Sequence, residues 1–230
     1  MTRPNGVTVY EGPSAIDGAP IMAVVTGIRA PSQNVKTGPM MQLWITRQDQ
    51  LPTDAKRDGT DTAICGECPI KKACYVNVGQ APQGVWKAWA AGRYDSGIMP
   101  TGSQLRLGAY GDPMALPLHV VEGLVARATD HSGYTHQWRA MRHWYGPWNH
   151  WQRIIMASVE TEDDALEAQS LGWRTFRVKR STDRRLPGEM PCPAGPKRSR
   201  VQCHNCPIKC HGGEGPNIVI DVHGSTANHF

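Results

Sequence analysis

The segment Ile154–Lys179 constrains the fold of this chain more than any other, because three structural signals follow one another in it without a break. IIMASVE is a short apolar run, TEDDALEAQSLG reads as a helix, and RTFRVK alternates as a strand does. Thr161 is placed to cap the helix, Glu162, Asp163 and Asp164 suit its positive N-terminal end, and Gly172 suits a left-handed stop. Strand, helix and strand in that order form a βαβ unit, whose two strands run parallel in one sheet.

A second alternation precedes it: LRLGAYG (105–111) reads as a strand, Ala115–Arg127 as an amphipathic helix and GYTHQW (133–138) as the next strand. Further strands are expected at 21–27, 40–46 and 217–223, with a helix over Pro82–Ala91. The pattern predicts an α/β fold, a small or incomplete (β/α) barrel with a cysteine-rich metal-binding insertion. At 230 residues it is expected to form one domain. In such folds chemistry gathers at the carboxyl ends of the strands. That rule selects Asp112, His136, Glu160 and Lys179 as candidates, with Lys36 to Gln42 before one strand and Asp221 or His223 after the last.

Two long irregular stretches interrupt the alternation, Arg47–Cys74 and Arg180–Gly215, and each carries cysteines. The metal-binding loops are expected at about residues 60–75 and 190–212. The first holds Cys65, Cys68 and Cys74, and the second holds Cys192, Cys203, Cys206 and Cys210. Both repeat the string C-x2-C-P-I-K, in which a tight turn lets two thiolates reach one ion. No stretch has the roughly 20 apolar residues of a membrane span, and residues 1–18 lack the apolar run of a signal peptide, so the expected location is the cytoplasm, with no membrane partner. An odd count of seven cysteines in that reducing compartment points to metal rather than disulfides. Four cysteines in the second loop suit a closed zinc site. Three in the first leave one position open, for zinc or an iron–sulfur cluster, either catalytic or completed by a distant ligand.

The net charge of +5 is concentrated: Arg174–Lys209 holds ten Arg and Lys, Arg180, Arg184 and Arg185 among them. Such a patch suits a polyanion, or is simply a solvated face. Thr135–Trp151 interleaves Trp138, Trp144, Trp148 and Trp151 with Arg139, Arg142, His143 and His150, a mixture that suits stacking and backbone contacts with nucleic acid or, for some of the tryptophans, packing. Asp112, in Gly108-Ala-Tyr-Gly-Asp-Pro113, is either a reactive carboxylate or the cap of the next helical turn. Glu160 occupies the matching place on a later strand, and paired carboxylates suit acid/base or covalent glycosyl chemistry.

The strings GPSAIDGAPIMAVVTG, SQNVKTGPMMQ, ICGECPIKKACYVNVGQAP, VWKAW, RLGAYGDP and GYTHQW resemble a phage-borne protein family across most of the chain. The barrel pattern with a late cysteine loop is similar to tRNA-guanine transglycosylases and their DNA-acting relatives, which exchange guanine for a 7-deazaguanine base and so shield phage DNA from restriction. The family pattern is C-x-C-x2-C with a later His, against C-x2-C-x3-C with Cys192 upstream here. That resemblance implies an enzyme with zinc, with DNA and a preQ0-like 7-deazaguanine base as partners. Asp112 and Glu160 would be its paired catalytic carboxylates, one nucleophilic at the sugar carbon and the other a general acid/base, Lys36, Tyr110, His136, Gln137 and Lys179 its substrate contacts, and Arg139, Arg142, Trp144, Arg180, Arg184 and Arg185 its DNA contacts. A second resemblance, to radical S-adenosylmethionine barrels, rests on Cys65, Cys68 and Cys74 after MMQLWIT and on Tyr110-Gly-Asp112-Pro-Met. A third reading is a non-enzymatic nucleic-acid-binding protein with structural zinc.

Overall fold

The computed structural model describes residues 4–140, 148–194, 200–224 and 226–230. The chain separates into two compact units, the first of residues up to Gly66 together with Val76–His131, the second of Glu67–Tyr75 together with Ser132–Phe230. The α/β expectation holds, with ten strands in two five-stranded sheets and six α-helices among the described residues. The expected barrel is not what these strands form: no closed barrel is found, and each sheet is an open row. No helix among the described residues is long and apolar enough to cross a membrane.

The first sheet runs β1 (Gly6–Pro13), β2 (Pro20–Thr26), β3 (Met41–Arg47), β4 (Leu105–Tyr110) and β5 (His131–Ser132), in that spatial order. β1 pairs antiparallel with β2 and β2 with β3, whereas β3 pairs parallel with β4. That mixture departs from the barrel expectation at its root. A meander of neighbouring strands needs no crossover helix, so the early strands close by hairpin-like turns instead of winding round an axis. Ile21, Val25, Leu43, Ile45, Leu105 and Leu107 are buried in this unit. The irregular stretch expected after β3 contains two short helices, α1 (Pro52–Asp58) and α2 (Thr62–Cys65), followed by α3 (Ala81–Ala90). Later in the same unit lies α4 (Leu118–Arg127).

The second sheet is the parallel one that Ile154–Lys179 predicts. Its spatial order is β6 (Tyr134–Thr135), β7 (Met156–Val159), β8 (Thr175–Lys179), β10 (Asn217–Asp221) and β9 (Glu189–Pro191), with every neighbouring pair parallel. α5 (Trp148–Ile154) precedes β7, and α6 (Glu162–Ser170) is the crossover between β7 and β8. Thr161 Oγ1 accepts from Asp164 N at 3.0 Å, and Gly172 takes φ +84°, so both ends of α6 are set as the residues dictate. All four residues of β7 are buried, as befits a parallel strand covered on both faces.

Two inward arginines hold the long stretch after β8. Arg177 in β8 meets Glu189 through Nε to Oε1 at 2.6 Å and through a terminal nitrogen to Oε2 at 2.7 Å, with both side chains almost wholly buried. Arg174, just before β8, donates to the carbonyls of Lys209 (2.6 Å), His211 (2.9 Å) and Pro216 (2.7 Å). One guanidinium thus supplies hydrogen bonds that secondary structure would otherwise give to loop 209–216. The loop also threads close to α5: a Cβ on Gly212 would stand 2.0 Å from Gln152 O, so only glycine fits there. Replacing Arg174 by Met leaves three partly buried carbonyls without their charged donor, a loss of at most about 1.5–3 kcal/mol each. Amide exchange across 209–216 is expected to accelerate by at least roughly tenfold, read by hydrogen–deuterium exchange, while β7 stays protected. Unchanged exchange in the loop would contradict the clamp.

Candidate functional site

Parallel strands present their carboxyl ends on one edge, and in the second unit that edge gathers His136 after β6, Glu160 after β7, Arg180 after β8 and Asp221 closing β10. The segment Glu67–Tyr75 belongs to this unit and meets His136 and the residues that follow β10. Cys68 Sγ lies 3.9 Å from His136 Nε2, the Cys74 carbonyl accepts from Thr226 Oγ1 at 2.9 Å, and the Tyr75 ring stacks on His223 with centroids 5.9 Å apart. His136 Nε2 also pairs with Glu160 Oε1 at 2.9 Å. Glu160 and His136 are 11% and 17% exposed, enough to reach a ligand but little enough to hold one geometry.

Burial opposes charge on the His136 ring, but the Cys68 sulfur and then the Glu160 carboxylate outweigh it and hold the ring well above the ordinary histidine range. The contacts on Nε2 thus favour the protonated ring of His136 beside Glu160. Both contacts fall on Nε2. A nucleophile–base–carboxylate relay needs the two ring nitrogens to face different partners, so Cys68, His136 and Glu160 are not arranged as such a relay.

Glu160 opens onto a cleft of about 560 Å³ lined also by Pro69, Ile70, Arg180, Arg184 and Phe230. That volume lies in the range of small-molecule sites. Arg184 pairs with Glu162 at 2.7 Å and is 79% exposed, Arg180 donates to the Phe230 carbonyl at 3.0 Å, and Arg185 is exposed. Lys179 is committed elsewhere, bonded to Asp221 Oδ1 at 2.7 Å and to the Arg180 carbonyl at 3.0 Å. The backbone of Gln137 donates to Thr135 Oγ1, which fixes the turn after β6. Arg139 lies over the Trp138 ring, 4.2 Å from its centroid, and is tied to Asp164 and Glu167. Trp138 is buried and donates to the Ser158 carbonyl, and Trp151 is buried as well, so both pack this unit. Arg142 and Trp144 lie outside the described residues.

The second cysteine loop lies toward the opposite, amino end of the sheet. Gly133, just before β6, donates to the Cys210 carbonyl at 2.9 Å, and the Arg174 clamp stands just before β8. Cys203–Asn205 forms a 3-10 turn closed by Asn205 Oδ1 accepting from Gln202 N at 2.8 Å. Cys210 hydrogen-bonds with the Tyr134 hydroxyl, and Cys192 and Cys203 are near enough to repel its negative charge; burial above all pushes the Cys210 thiol up to about 12. All seven cysteines are free of disulfides. The donor chemistry is that of a zinc loop, yet among the described residues no group of three or more His, Cys, Asp or Glu side chains is placed to hold one ion. Cys192 and Cys203 interact electrostatically with Cys210, Cys206 is buried, and Cys65 ends α2 in the first unit.

The remaining candidates belong to the first unit. Lys36 sits in a turn where Asn34 Oδ1 accepts from the backbone of Lys36 and Thr37. Tyr110 closes β4 and is buried. Gly111 takes φ +83°, and a Cβ there would stand 2.7 Å from the Ile45 Cβ, so the glycine is required by close packing. Asp112 Oδ1 accepts from Met114 N at 3.0 Å and Asp112 N donates to the Ile64 carbonyl at 2.6 Å. The carboxylate is 7% exposed and caps the turn Pro113–Ala115, the second of the two roles open to it in the sequence.

That cap separates structure from chemistry in one experiment. Asp112→Ala removes the accepting oxygen and should cost about 1 kcal/mol in urea unfolding, whereas Asp112→Asn keeps an oxygen there and should stay within a few tenths. Equal loss in both would show that the charge, rather than the cap, matters to the fold.

No protein-family model, curated protein or solved structure matches the chain.

Proposed function

We propose that this chain is a base-exchange transglycosylase that replaces guanine in DNA with a preQ0-like 7-deazaguanine base, using the carboxyl end of its parallel sheet. The observation that carries the reading is Glu160, held by His136 at 2.9 Å on the wall of a cleft of about 560 Å³. Exchange at a sugar carbon needs one proton moved twice. The leaving guanine takes a proton as its glycosidic bond breaks, and the incoming base surrenders one as the new bond forms. A carboxylate beside an imidazolium can perform both transfers, with His136 as the proton source and Glu160 orienting the ring. The protonated ring gives its proton in the first half and recovers it in the second, so the pair returns to its starting state.

The exposed guanidinium groups of Arg180 and Arg184, near the mouth of the cleft, and of Arg185 beside them support a polyanionic partner. They are free to exchange their surface contacts for phosphate at little cost, because exposed ion pairs contribute about 0–1 kcal/mol. The resemblance implies a carboxylate that bonds to the sugar carbon as guanine leaves and is displaced by the incoming base, a role it leaves open to Asp112 or Glu160, and proton transfer by His136 does not depend on which.

Purified protein incubated with duplex DNA and labelled 7-cyano-7-deazaguanine is expected to incorporate label. Glu160→Gln, which keeps an oxygen for His136 but removes the charge, should lower the rate by roughly 10²–10⁴-fold with the thermal midpoint little changed. Full activity in that variant, or no incorporation by the unaltered chain with any 7-deazaguanine base, would overturn the proposal.

A further inference from the structure

A second cleft, of about 410 Å³, lies wholly within the first unit. It is lined by Thr8 and Glu11 of β1, Gln48, Trp86 and Trp89 of α3, and Tyr94. The three rings are fixed before any ligand arrives. Trp86 Nε1 donates to the Arg47 carbonyl at 2.8 Å, Trp89 Nε1 donates to Glu11 Oε1 at 2.8 Å, and a Cβ on Gly6 would stand 2.8 Å from the Tyr94 ring. All three back onto the buried cluster of Met22, Val24 and Val85. The two indoles are inclined at 60° with centroids 6.2 Å apart, so they form two non-parallel walls and not a slot for a flat base.

Charge decides what such a box can hold. Among the described residues lining it, Glu11 is the charged one, and no Lys or Arg is present to meet a phosphate or carboxylate. Aromatic faces attract cations through their quadrupole, most strongly at tryptophan, and a carboxylate at the rim adds to that attraction. Thr8, 3% exposed, closes the cleft beneath the rings. We infer that this cleft binds a small organic cation, a protonated or methylated amine, between Trp86, Trp89 and Tyr94 with Glu11 as counter-charge. The inference concerns the first unit alone and stands or falls apart from the base-exchange reading.

The test uses the full chain and tetramethylammonium chloride, with sodium chloride at equal ionic strength as the control and tert-butanol as the neutral isostere. The indole N–H resonances of Trp86 and Trp89 should shift saturably with tetramethylammonium, and the neutral isostere should bind roughly three- to thirtyfold more weakly. Glu11→Gln preserves an oxygen for Trp89 and removes the charge, so it should weaken the cation by a similar factor and leave tert-butanol unaffected. No saturable shift, equal affinity for the isostere, or indifference to Glu11→Gln would each overturn the inference; the isostere comparison needs no variant to fold.

Discussion

Parallel pairing of β6, β7, β8, β10 and β9 is the constraint from which the rest of the second unit follows. Strands that run the same way cannot be joined by tight turns, so each connection must return across the sheet, and the two edges acquire different loops. The carboxyl edge receives the residues that immediately follow each strand, which is why His136, Glu160 and Arg180 come to one side although they are far apart in sequence. The amino edge receives the loop 209–216, whose backbone carbonyls turn toward Arg174. The two cysteine strings, so alike as sequence, thereby serve different edges: Cys68 stands against His136, while Cys210 stands against Tyr134 at the start of β6.

Ordering of the long insertion after β8 comes from buried guanidinium groups. Arg177 with Glu189 ties the strand to the chain twelve residues on, and Glu189 Oε2 also accepts from Leu186 N at 2.7 Å, so the carboxylate is satisfied in full view of the arginine. Such a pair is dear to break, since removing one partner strands a buried charge at about 3–5 kcal/mol. Part of the basic run that suggests a polyanion is therefore turned inward. Arg174, Arg177 and Lys179 are buried, and Arg180, Arg184 and Arg185 are the members left at the surface near the cleft.

Where local chemistry and tertiary packing agree, the residues foretell the outcome. The α6 crossover with Thr161 and Gly172, the strands at 20–26, 41–47 and 217–221, and the helix ending at Ala90 all lie where periodicity puts them, within a residue or two. The carboxyl-edge rule reached His136 and Glu160 before any coordinates. It could not reveal that they bond to each other or that Cys68 joins them, because those contacts span 24 and 68 residues. The barrel expectation failed at β1 and β2: β1 has weak alternation and glycine and proline at its ends, so nothing marked an antiparallel meander. In GAYGDP, glycine and aspartate can serve both close ligand approach and close packing; Gly111 packs against Ile45, and Asp112 Oδ1 accepts from the Met114 amide. Arg174 reads as one more member of the basic run, because an inward arginine looks the same in sequence as a solvated one.

The central claim is that ligand engages the carboxyl edge of the second sheet. Hydrogen–deuterium exchange of the full chain, with and without saturating 7-cyano-7-deazaguanine, tests it most directly. Protection is expected at Pro69–Ala73, Glu160–Glu162 and Arg180–Arg184, with loop 209–216 unchanged. Protection confined to the amino-edge loop or to the first unit, with none at Glu160, would contradict the account.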